Sequence, residues 1–278
     1  IKLVKYSFHK SKNRMKRKEL EDKELKNIEL EILKHIRNVC EEYGLRYYLA
    51  YGTLLGAVRH KGFIPWDDDI DIWMPREDYE KFLQIQHDSK GKYQVFSTRN
   101  RKDYYYEFAK VVDTDTTLEE IGFRPIKDYG VYVDVFPLDG VPCKLDRFLL
   151  KYMFILKTAT INIHPELNLT HKELAKLFRC IGKLGECLGA FHYPKQIDKI
   201  ARKYSLASSD FMGYSLDKQM MHKSYFEQSV KIEFEHDFFD APIGYHECLT
   251  RIYGATYMKL PPIEMRHSVH NFIATLKE

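Results

Sequence analysis

The sequence predicts an α+β fold in which helices flank a mixed β-sheet and the C-terminal half is mainly helical. Residues 21–43 repeat apolar side chains at three- and four-residue spacing, which is the pattern of an amphipathic helix. Residues 69–72 alternate acidic and apolar side chains, and residues 131–136 are almost wholly apolar, as strands are. After Pro142 the apolar stretches lengthen, notably at 147–163 and 172–190, which favours helices.

Length and composition predict a globular chain with three regions. Its 278 residues are enough for one large domain or for a core with a helical annex. We expect a basic arm at residues 1–20, a catalytic core at 21–142, and a mainly helical region at 143–278 that completes the site. The arm carries six basic and no acidic residues between positions 10 and 18. Such a run is either solvated or binds anionic lipid or a polyanionic substrate.

The net charge and the spacing of the cysteines indicate which partners and which cellular compartment to expect. A net charge of +4 is too small to predict a nucleic-acid partner, and we expect none. The five cysteines show no zinc-like spacing, so we interpret them as reduced thiols of a cytosolic protein. No signal peptide and no run of 18 apolar residues is found. These features predict a cytoplasmic protein, with peripheral contact at the inner face of the plasma membrane as a further expectation.

The acidic motif at residues 67–71 predicts a metal site. Asp69 and Asp71 alternate with Ile70 and Ile72, so a strand would present both carboxylates on one face. Neighbouring carboxylates repel each other, and divalent cations with oxygen ligands offset that repulsion. Asp67 has the same parity, which makes it a supporting ligand. The alternative is a solvated acidic turn.

A second acidic position lies in the apolar stretch VYVDVF. Asp134 is the one charged residue there, and a lone carboxylate among apolar neighbours is costly unless it is paired or binds a metal. The alternative is the exposed face of an edge strand.

The block from Tyr51 to Arg59, followed by the block from Gly62 to Asp71, resembles the LicD family. That family includes bacterial phosphocholine transferases and the fukutin-related proteins. The block also carries the broader nucleotidyltransferase-fold signature, a Gly-Ser/Thr turn followed by Asp-x-Asp. Residues 131–139 and 253–270 are similar to the family as well. The resemblance implies a nucleotidyltransferase-like sheet in which Asp134 joins Asp69 and Asp71.

The resemblance also implies roles for individual residues. The expected catalytic residues are Asp69, Asp71, Asp134 and Lys110, and the expected metal ligands are Asp69, Asp71, Asp134 and Asp67. Expected substrate and phosphate contacts are Gly52, Thr53, Arg59, Lys61, Trp66, Arg266 and His270. Lys110 could instead extend from a strand edge into solvent, and Arg266 and His270 could form a surface ion pair and a packed imidazole.

The activity implied by the resemblance is transfer of phosphocholine from CDP-choline to a sugar hydroxyl, with release of CMP. The acceptor would be a lipid-linked or polymeric bacterial cell-surface glycan, namely teichoic acid, lipopolysaccharide or capsule. The implied cofactor is Mg²⁺, or Mn²⁺ in its place, as two ions. A quaternary ammonium group favours an aromatic cage, and aromatic residues near the motifs could supply one: Tyr104, Tyr105, Tyr106, Tyr129, Tyr132, Trp66 and Trp73.

Three alternatives stay open from the sequence. A CDP-ribitol or CDP-glycerol donor would need hydrogen-bonding groups in place of the cage. A nucleotidyltransferase would use the same metals to move a nucleoside monophosphate and release pyrophosphate. A non-catalytic binding protein is disfavoured because Asp69, Asp71 and Asp134 are all present.

Overall fold

A computed structural model describes residues 18–87, 90–165, 172–186, 189, 191–268 and 271–277. These residues form seven α-helices: α1 (Asp22–Tyr43), α2 (Tyr51–His60), α3 (Arg76–Gln86), α4 (Lys144–Ile161), α5 (Lys172–Gly185), α6 (His192–Ala201) and α7 (Tyr245–Tyr253). The strands are β1 (Tyr48–Leu49), β2 (Asp71–Pro75), β3 (Tyr93–Phe96), β4 (Ala109–Asp113), β5 (Thr116–Glu120), β6 (Tyr132–Gly140), β7 (Phe211–Gly213), β8 (Met221–His222), β9 (Ser229–Phe234), β10 (Asp237–Pro242) and β11 (Phe272–Leu276). Among the described residues, no helix has the length and apolar character needed to cross a membrane. Residues 1–17 of the predicted basic arm lie outside the described part.

The main sheet is mixed, as predicted. Its strand order is β1-β2-β6-β4-β3, and β7 extends it from β6 and pairs with β8. Strands β2 and β6 run parallel, whereas the β1–β2, β4–β6 and β3–β4 pairs are antiparallel. Strand β6 therefore lies inside the sheet, between β2 and β4.

Helix α1 covers the sheet and begins and ends close to the predicted bounds. Glu21 and Glu24 form a reciprocal capping box at its start, and Gly44, with a φ of 63°, ends it. Ile32, Leu33 and Ile36 are fully buried in the main core. The periodicity of apolar residues thus identified the helix and the face that it buries.

The strand predicted at the acidic motif was wrong in detail. The predicted strand from Asp69 begins only at Asp71, so Asp69 precedes β2 in irregular backbone. Strand β5 follows β4 closely in the chain, yet it pairs with β11 and does not form a hairpin with β4. The Thr116 hydroxyl donates to the carbonyl of Asp113 and accepts from the N–H of Val131, so the chain leaves the main sheet between β4 and β5.

The mainly helical description fits residues 144–201 but does not extend to the C-terminus. Helices α4, α5 and α6 occupy that stretch, whereas five strands and helix α7 follow it. Strands β9 and β10 form a hairpin whose turn residues Glu235 and His236 both have positive φ angles, of 51° and 64°. Asn and Gly usually occupy such turns, so the sequence carried no strong turn signal there.

Two buried ion-pair networks attach the helical stretch to the sheet. The ammonium of Lys157 on α4 lies 2.6 Å from a carboxylate oxygen of Glu107, and the hydroxyl of Tyr214 donates to the other oxygen at 2.5 Å. Arg76 at the start of α3 donates to Asp139 on β6 and to Asp198 on α6. These contacts fix the helical stretch relative to the strands that carry the site.

Candidate active site

The sheet register brings three of the predicted catalytic residues side by side. Asp71 on β2 lies opposite Asp134 on β6, and Lys110 on β4 lies opposite Asp134 from the other side. The Lys110 ammonium donates to Asp134 at 2.6 Å, and Lys110 is only 2% exposed. Asp134 therefore lies on an interior strand, and Lys110 is a buried partner of a carboxylate rather than a surface lysine.

Aromatic rings surround the Lys110 ammonium. It lies 3.4 Å from the ring centroid of Tyr132 and 4.4 Å from that of Tyr106. Of the seven aromatic residues predicted for a choline cage, only Trp66 and Tyr106 are partly exposed; Tyr104, Tyr105, Tyr129, Tyr132 and Trp73 are buried. Most of these residues thus belong to the core, and Tyr132 and Tyr106 pack against the protein's own cation.

A cluster of carboxylates precedes β2. Asp67, Asp68 and Asp69 each offer an oxygen, and these oxygens lie within 4.8 Å of one another. All three side chains are half-buried. Oxygen ligands about 2.0–2.6 Å from a shared hard cation have this spacing, so the donor set fits Mg²⁺ or Mn²⁺. The cluster contains Asp67 and Asp69 from the predicted metal set and adds Asp68.

Helix α2 begins against these carboxylates. The hydroxyl of Thr53 accepts a 2.8 Å hydrogen bond from the backbone N–H of Asp71. A Cβ atom on Gly52 would lie 2.4 Å from an oxygen of Asp67, so only glycine permits this approach. Gly52 and Thr53 therefore position Asp67 and Asp71, and their contact with phosphate stays a prediction.

The electrostatics of the site favour a bound cation. Burial, followed by the charges of Asp69, Asp134 and Asp67, raises the pKa of Asp71 well above its ordinary value, although Lys110 opposes this. The negative charge is concentrated where the cluster meets the start of β2, and a divalent cation there would stabilise the ionised carboxylates.

The C-terminal segment folds back beside the cluster. Arg59 on α2 donates to the carbonyl oxygens of Tyr257 and Lys259, at 3.0 and 3.4 Å. The guanidinium of Arg266 lies 5.4 Å from the ring centroid of Trp66, and its Nε atom donates to the carbonyl of Pro261. Trp66 and Arg266, which the sequence assigned to substrate binding, are thus brought together next to Asp67.

The other predicted contacts have different surroundings. Lys61 is exposed, and its carbonyl accepts from the N–H of Glu235 at 2.9 Å, next to the β9–β10 turn. The Ser268 hydroxyl donates to Asp68, which ties the end of the C-terminal segment to the cluster. His270 lies outside the described residues.

Sequence reasoning missed Glu29 on α1. Glu29 is only 3% exposed, and its Oε2 atom has no hydrogen-bond partner in the described part of the chain. Burial, then the charges of Asp69 and Asp68, raises its pKa well above the ordinary value. The signal was present, because Glu29 interrupts the buried stripe of Leu25, Ile32 and Leu33 at helical spacing.

Tyr253 and Asp68 were also missed. Tyr253 is the last residue of α7, and partial burial and the charges of Asp71, Asp67 and Asp69 raise its pKa. Asp68 was not among the predicted ligands, and the strand parity used to choose Asp67 does not apply because residues 67–70 are not in a strand. Tyr253 begins the segment 253–270 that resembles the family, but it was given no role in the site, because only the return of the C-terminal segment brings it to the cluster.

Comparisons with known proteins identify the family to which the chain belongs. The family described as the LicD/FKTN/FKRP nucleotidyltransferase domain matches residues 44–149, which include the acidic cluster, Lys110 and Asp134. The lipopolysaccharide cholinephosphotransferase LicD of Haemophilus influenzae is 33% identical over 253 residues, covering 87% of this chain and 92% of that protein.

Two further similarities cover shorter parts of the chain. An uncharacterised protein of Rickettsia typhi is 37% identical over 111 residues, 39% of this chain and 33% of its own length. The human ribitol 5-phosphate transferase FKRP is 41% identical over 56 residues, 20% of this chain and 11% of its own. With a family match on the site and one-third identity over most of the chain, this protein belongs to the LicD family.

Proposed function

We propose that this protein transfers phosphocholine from CDP-choline to a sugar hydroxyl of a bacterial cell-surface glycan and releases CMP. The observation that supports this most strongly is the 33% identity to a cholinephosphotransferase over 87% of the chain. The matched family domain, residues 44–149, contains the acidic cluster, Lys110 and Asp134. The carboxylates beside a buried lysine supply groups that phosphoryl transfer needs.

Two divalent cations, Mg²⁺ or Mn²⁺, would be held by Asp67, Asp69, Asp71 and Asp134. The spacing of the Asp67, Asp68 and Asp69 oxygens supports the fit and adds Asp68 as a candidate ligand. When bound, the ions would neutralise phosphate charge and stabilise the oxygens on either side of the transferred phosphorus.

The chain's own side chains would orient the reactants and accept a proton. The oxygen of the acceptor hydroxyl forms a bond to the distal phosphorus of CDP-choline, the bond from that phosphorus to CMP breaks, and Asp71 or Asp134 accepts the hydroxyl proton. Thr53 holds the backbone of Asp71, and Lys110 holds the carboxylate of Asp134. Lys110 also adds positive charge near the developing negative charge.

The remaining binding residues would contact the donor. Arg266 and Trp66 lie together beside the cluster, where a guanidinium can bind phosphate oxygens and an indole can contact a base or a quaternary ammonium. Arg59, Lys61, Gly52 and His270 complete the proposed contacts. The acceptor is a lipid-linked or polymeric glycan, that is, lipopolysaccharide, teichoic acid or capsule, and the reaction takes place in the cytoplasm at the inner face of the plasma membrane.

A second candidate donor is CDP-ribitol, because FKRP, a ribitol 5-phosphate transferase, is 41% identical over 56 residues. That match covers 20% of this chain, against 87% for the cholinephosphotransferase, so we favour choline. CDP-glycerol is the further alternative.

The test is to incubate the protein with CDP-choline, CDP-ribitol, CDP-glycerol, ATP or CTP, each with Mg²⁺ or with a chelator, and with glycan acceptors. We expect CMP release and phosphocholine on the acceptor with CDP-choline, only when Mg²⁺ is present. The Asp71→Asn variant serves as the inactive control. Turnover of CDP-ribitol instead, or pyrophosphate release from ATP or CTP, would identify the corresponding alternative and contradict this proposal.

A further inference from the structure

Helices α4 and α5 expose a concentration of large apolar side chains. Of the nineteen large hydrophobic residues exposed in the described part of the chain, eight lie on these two helices. On α4, Leu145, Phe148, Tyr152 and Ile155 follow one another at spacings of three, four and three residues, which places them on one face. On α5 the corresponding residues are Leu174, Leu177 and Leu184. We call these seven residues the α4–α5 surface.

The exposure of this surface is high for a globular protein. Phe148 is 67% exposed, Leu177 54% and Leu184 73%. The two helices are in close contact, because a Cβ on Gly182 would lie 2.4 Å from the carbonyl oxygen of Ala159 and one on Gly185 would lie 2.4 Å from a methyl of Thr160. Highly exposed apolar side chains on two helices in contact indicate a surface that contacts another apolar phase.

The charges around the surface are mainly positive. The exposed basic residues of the two helices are Lys144, Arg147, Lys151, Lys176, Arg179 and Lys183. The acidic residues are Asp146, which accepts from the hydroxyl of Tyr204, and Glu173, which pairs with Lys176. An apolar stripe beside excess lysine and arginine is the pattern of a helix that lies in the interface of an anionic bilayer.

We propose that the α4–α5 surface docks onto an anionic lipid bilayer, with the apolar side chains in the acyl boundary and the basic side chains at the headgroups. The positive charge of the surface favours a bilayer over the chain's own N-terminal arm as the partner. Residues 10–18 of that arm carry six basic residues and would repel the surface. A bilayer offers an apolar interior to the exposed hydrophobic side chains and anionic headgroups to the basic side chains.

The attachment of α4 to the sheet makes such docking relevant to the site. Lys157 and Glu107 are both buried, and Glu107 lies three residues before Lys110 on the same segment. The surface is therefore joined to the segment that carries Lys110, so docking would influence the distance of the candidate site from the membrane. This inference is independent of which alcohol phosphate is transferred.

The experiment measures binding of the whole protein to vesicles of phosphatidylcholine, with or without phosphatidylglycerol, by co-sedimentation. We expect strong binding only when the anionic lipid is present. The double variant Phe148→Gln with Leu177→Gln should lower the partition coefficient by about tenfold or more, because it removes apolar contact with the acyl region. The double variant Lys151→Gln with Lys183→Gln should weaken binding to the anionic vesicles and reduce its salt dependence.

Phe238→Gln is the matched control, because Phe238 is 56% exposed but lies on β10, outside the surface. Melting temperatures establish that each variant is folded, and CMP release with a water-soluble glycan acceptor should be unchanged in all of them. The proposal is overturned if the wild-type protein does not bind anionic vesicles, if it binds neutral vesicles equally well, or if the apolar double variant binds as the wild type does. Self-association that this variant abolishes, without vesicle binding, would identify an interface between copies instead. If the wild-type protein releases no CMP, that result contradicts the proposed function. The vesicle-binding result is then judged separately.

Discussion

The part of the chain that the structure describes contains two buried lysine–carboxylate pairs, which look alike and differ in their neighbours. Lys110 contacts Asp134 and Lys157 contacts Glu107, each at 2.6 Å, and the lysines are 2% and 4% exposed in their side chains. Glu107 also accepts from the hydroxyl of Tyr214, so both of its oxygens have donors. Asp134 instead lies opposite a second carboxylate, Asp71, in the sheet register.

The difference separates a structural pair from one suited to chemistry. A buried pair whose hydrogen bonds are all made joins two elements and resists change. A buried pair beside further carboxylates carries excess negative charge, and that charge favours cation binding at the cost of stability. The surroundings of a pair therefore indicate its role better than its distance does.

Neutralising a carboxylate should give the largest difference in turnover and stability between the two pairs. Asp71→Asn and Asp69→Asn should each lower turnover by on the order of a thousandfold, because charge stabilisation by bound metal contributes several kcal/mol to phosphoryl transfer. Their melting temperatures should be unchanged or raised, because like-charge repulsion is relieved. Glu107→Gln should do the reverse and lower the melting temperature while the folded protein keeps its turnover. Near-normal activity of both aspartate variants would show that the catalytic assignment is wrong.

Removing each lysine should affect stability similarly and cation binding differently. Lys110→Met and Lys157→Met each leave a buried carboxylate without its cation, and each should cost about 3–5 kcal/mol in the free energy of unfolding. Urea unfolding measures this loss. Only Lys110→Met should also change the affinity for Mn²⁺, followed by the electron paramagnetic resonance of the free ion. An equal change of Mn²⁺ affinity in both variants would mean that the two pairs do not differ in the way described.

Asp217 shows what burial does to a carboxylate that has a hydroxyl partner but no lysine. The hydroxyl of Tyr51 donates to it at 2.5 Å, and burial raises the pKa of Asp217 from 3.8 to about 6. The folded state therefore favours the protonated form, so this residue's contribution to stability is fully present below pH 3.8 and is lost as the pH rises towards 6. Asp217→Asn should remove that loss, so the variant should be more stable than the wild type at pH 7 by up to about 3 kcal/mol.

Urea unfolding at several values between pH 4 and pH 7 tests this on both proteins. Asn can still accept from the hydroxyl of Tyr51, so the substitution changes the charge and keeps the contact. The same pH slope in wild type and variant would assign the dependence to other groups.

Substitution of Glu29 should have the smallest effect. Glu29 is a buried carboxyl that forms no ion pair with a lysine, and its Oε2 atom has no hydrogen-bond partner in the described residues. Glu29→Gln should raise the free energy of unfolding of the metal-free protein by about 1 kcal/mol, since a neutral amide is less costly to bury near Asp68 and Asp69. Glu31→Gln on the exposed face of the same helix is the control and should stay within about 0.5 kcal/mol of the wild type. A destabilised Glu29→Gln would show that the ionised carboxyl has a stabilising partner.

The sequence by itself determined those parts of the fold and of the site that depend on local pattern. The periodicity of residues 22–43 determined α1 and its buried face, and the apolar run around Asp134 determined β6. The motif from Tyr51 to Asp71 predicted the acidic site, and Thr53 and Gly52 do lie against Asp71 and Asp67. Such features can be read locally because helix and strand periods repeat within a few residues.

Only the tertiary structure decided which distant segments meet. The parallel pairing of β2 with β6 places Asp71 opposite Asp134, and β4 brings Lys110 to the other side. The pairing of β5 with β11 and the contact of Arg266 with Trp66 likewise join segments far apart in the chain. Side-chain alternation specifies which face of a strand is buried but not which strand lies next to it, because that choice depends on the packing of the whole core.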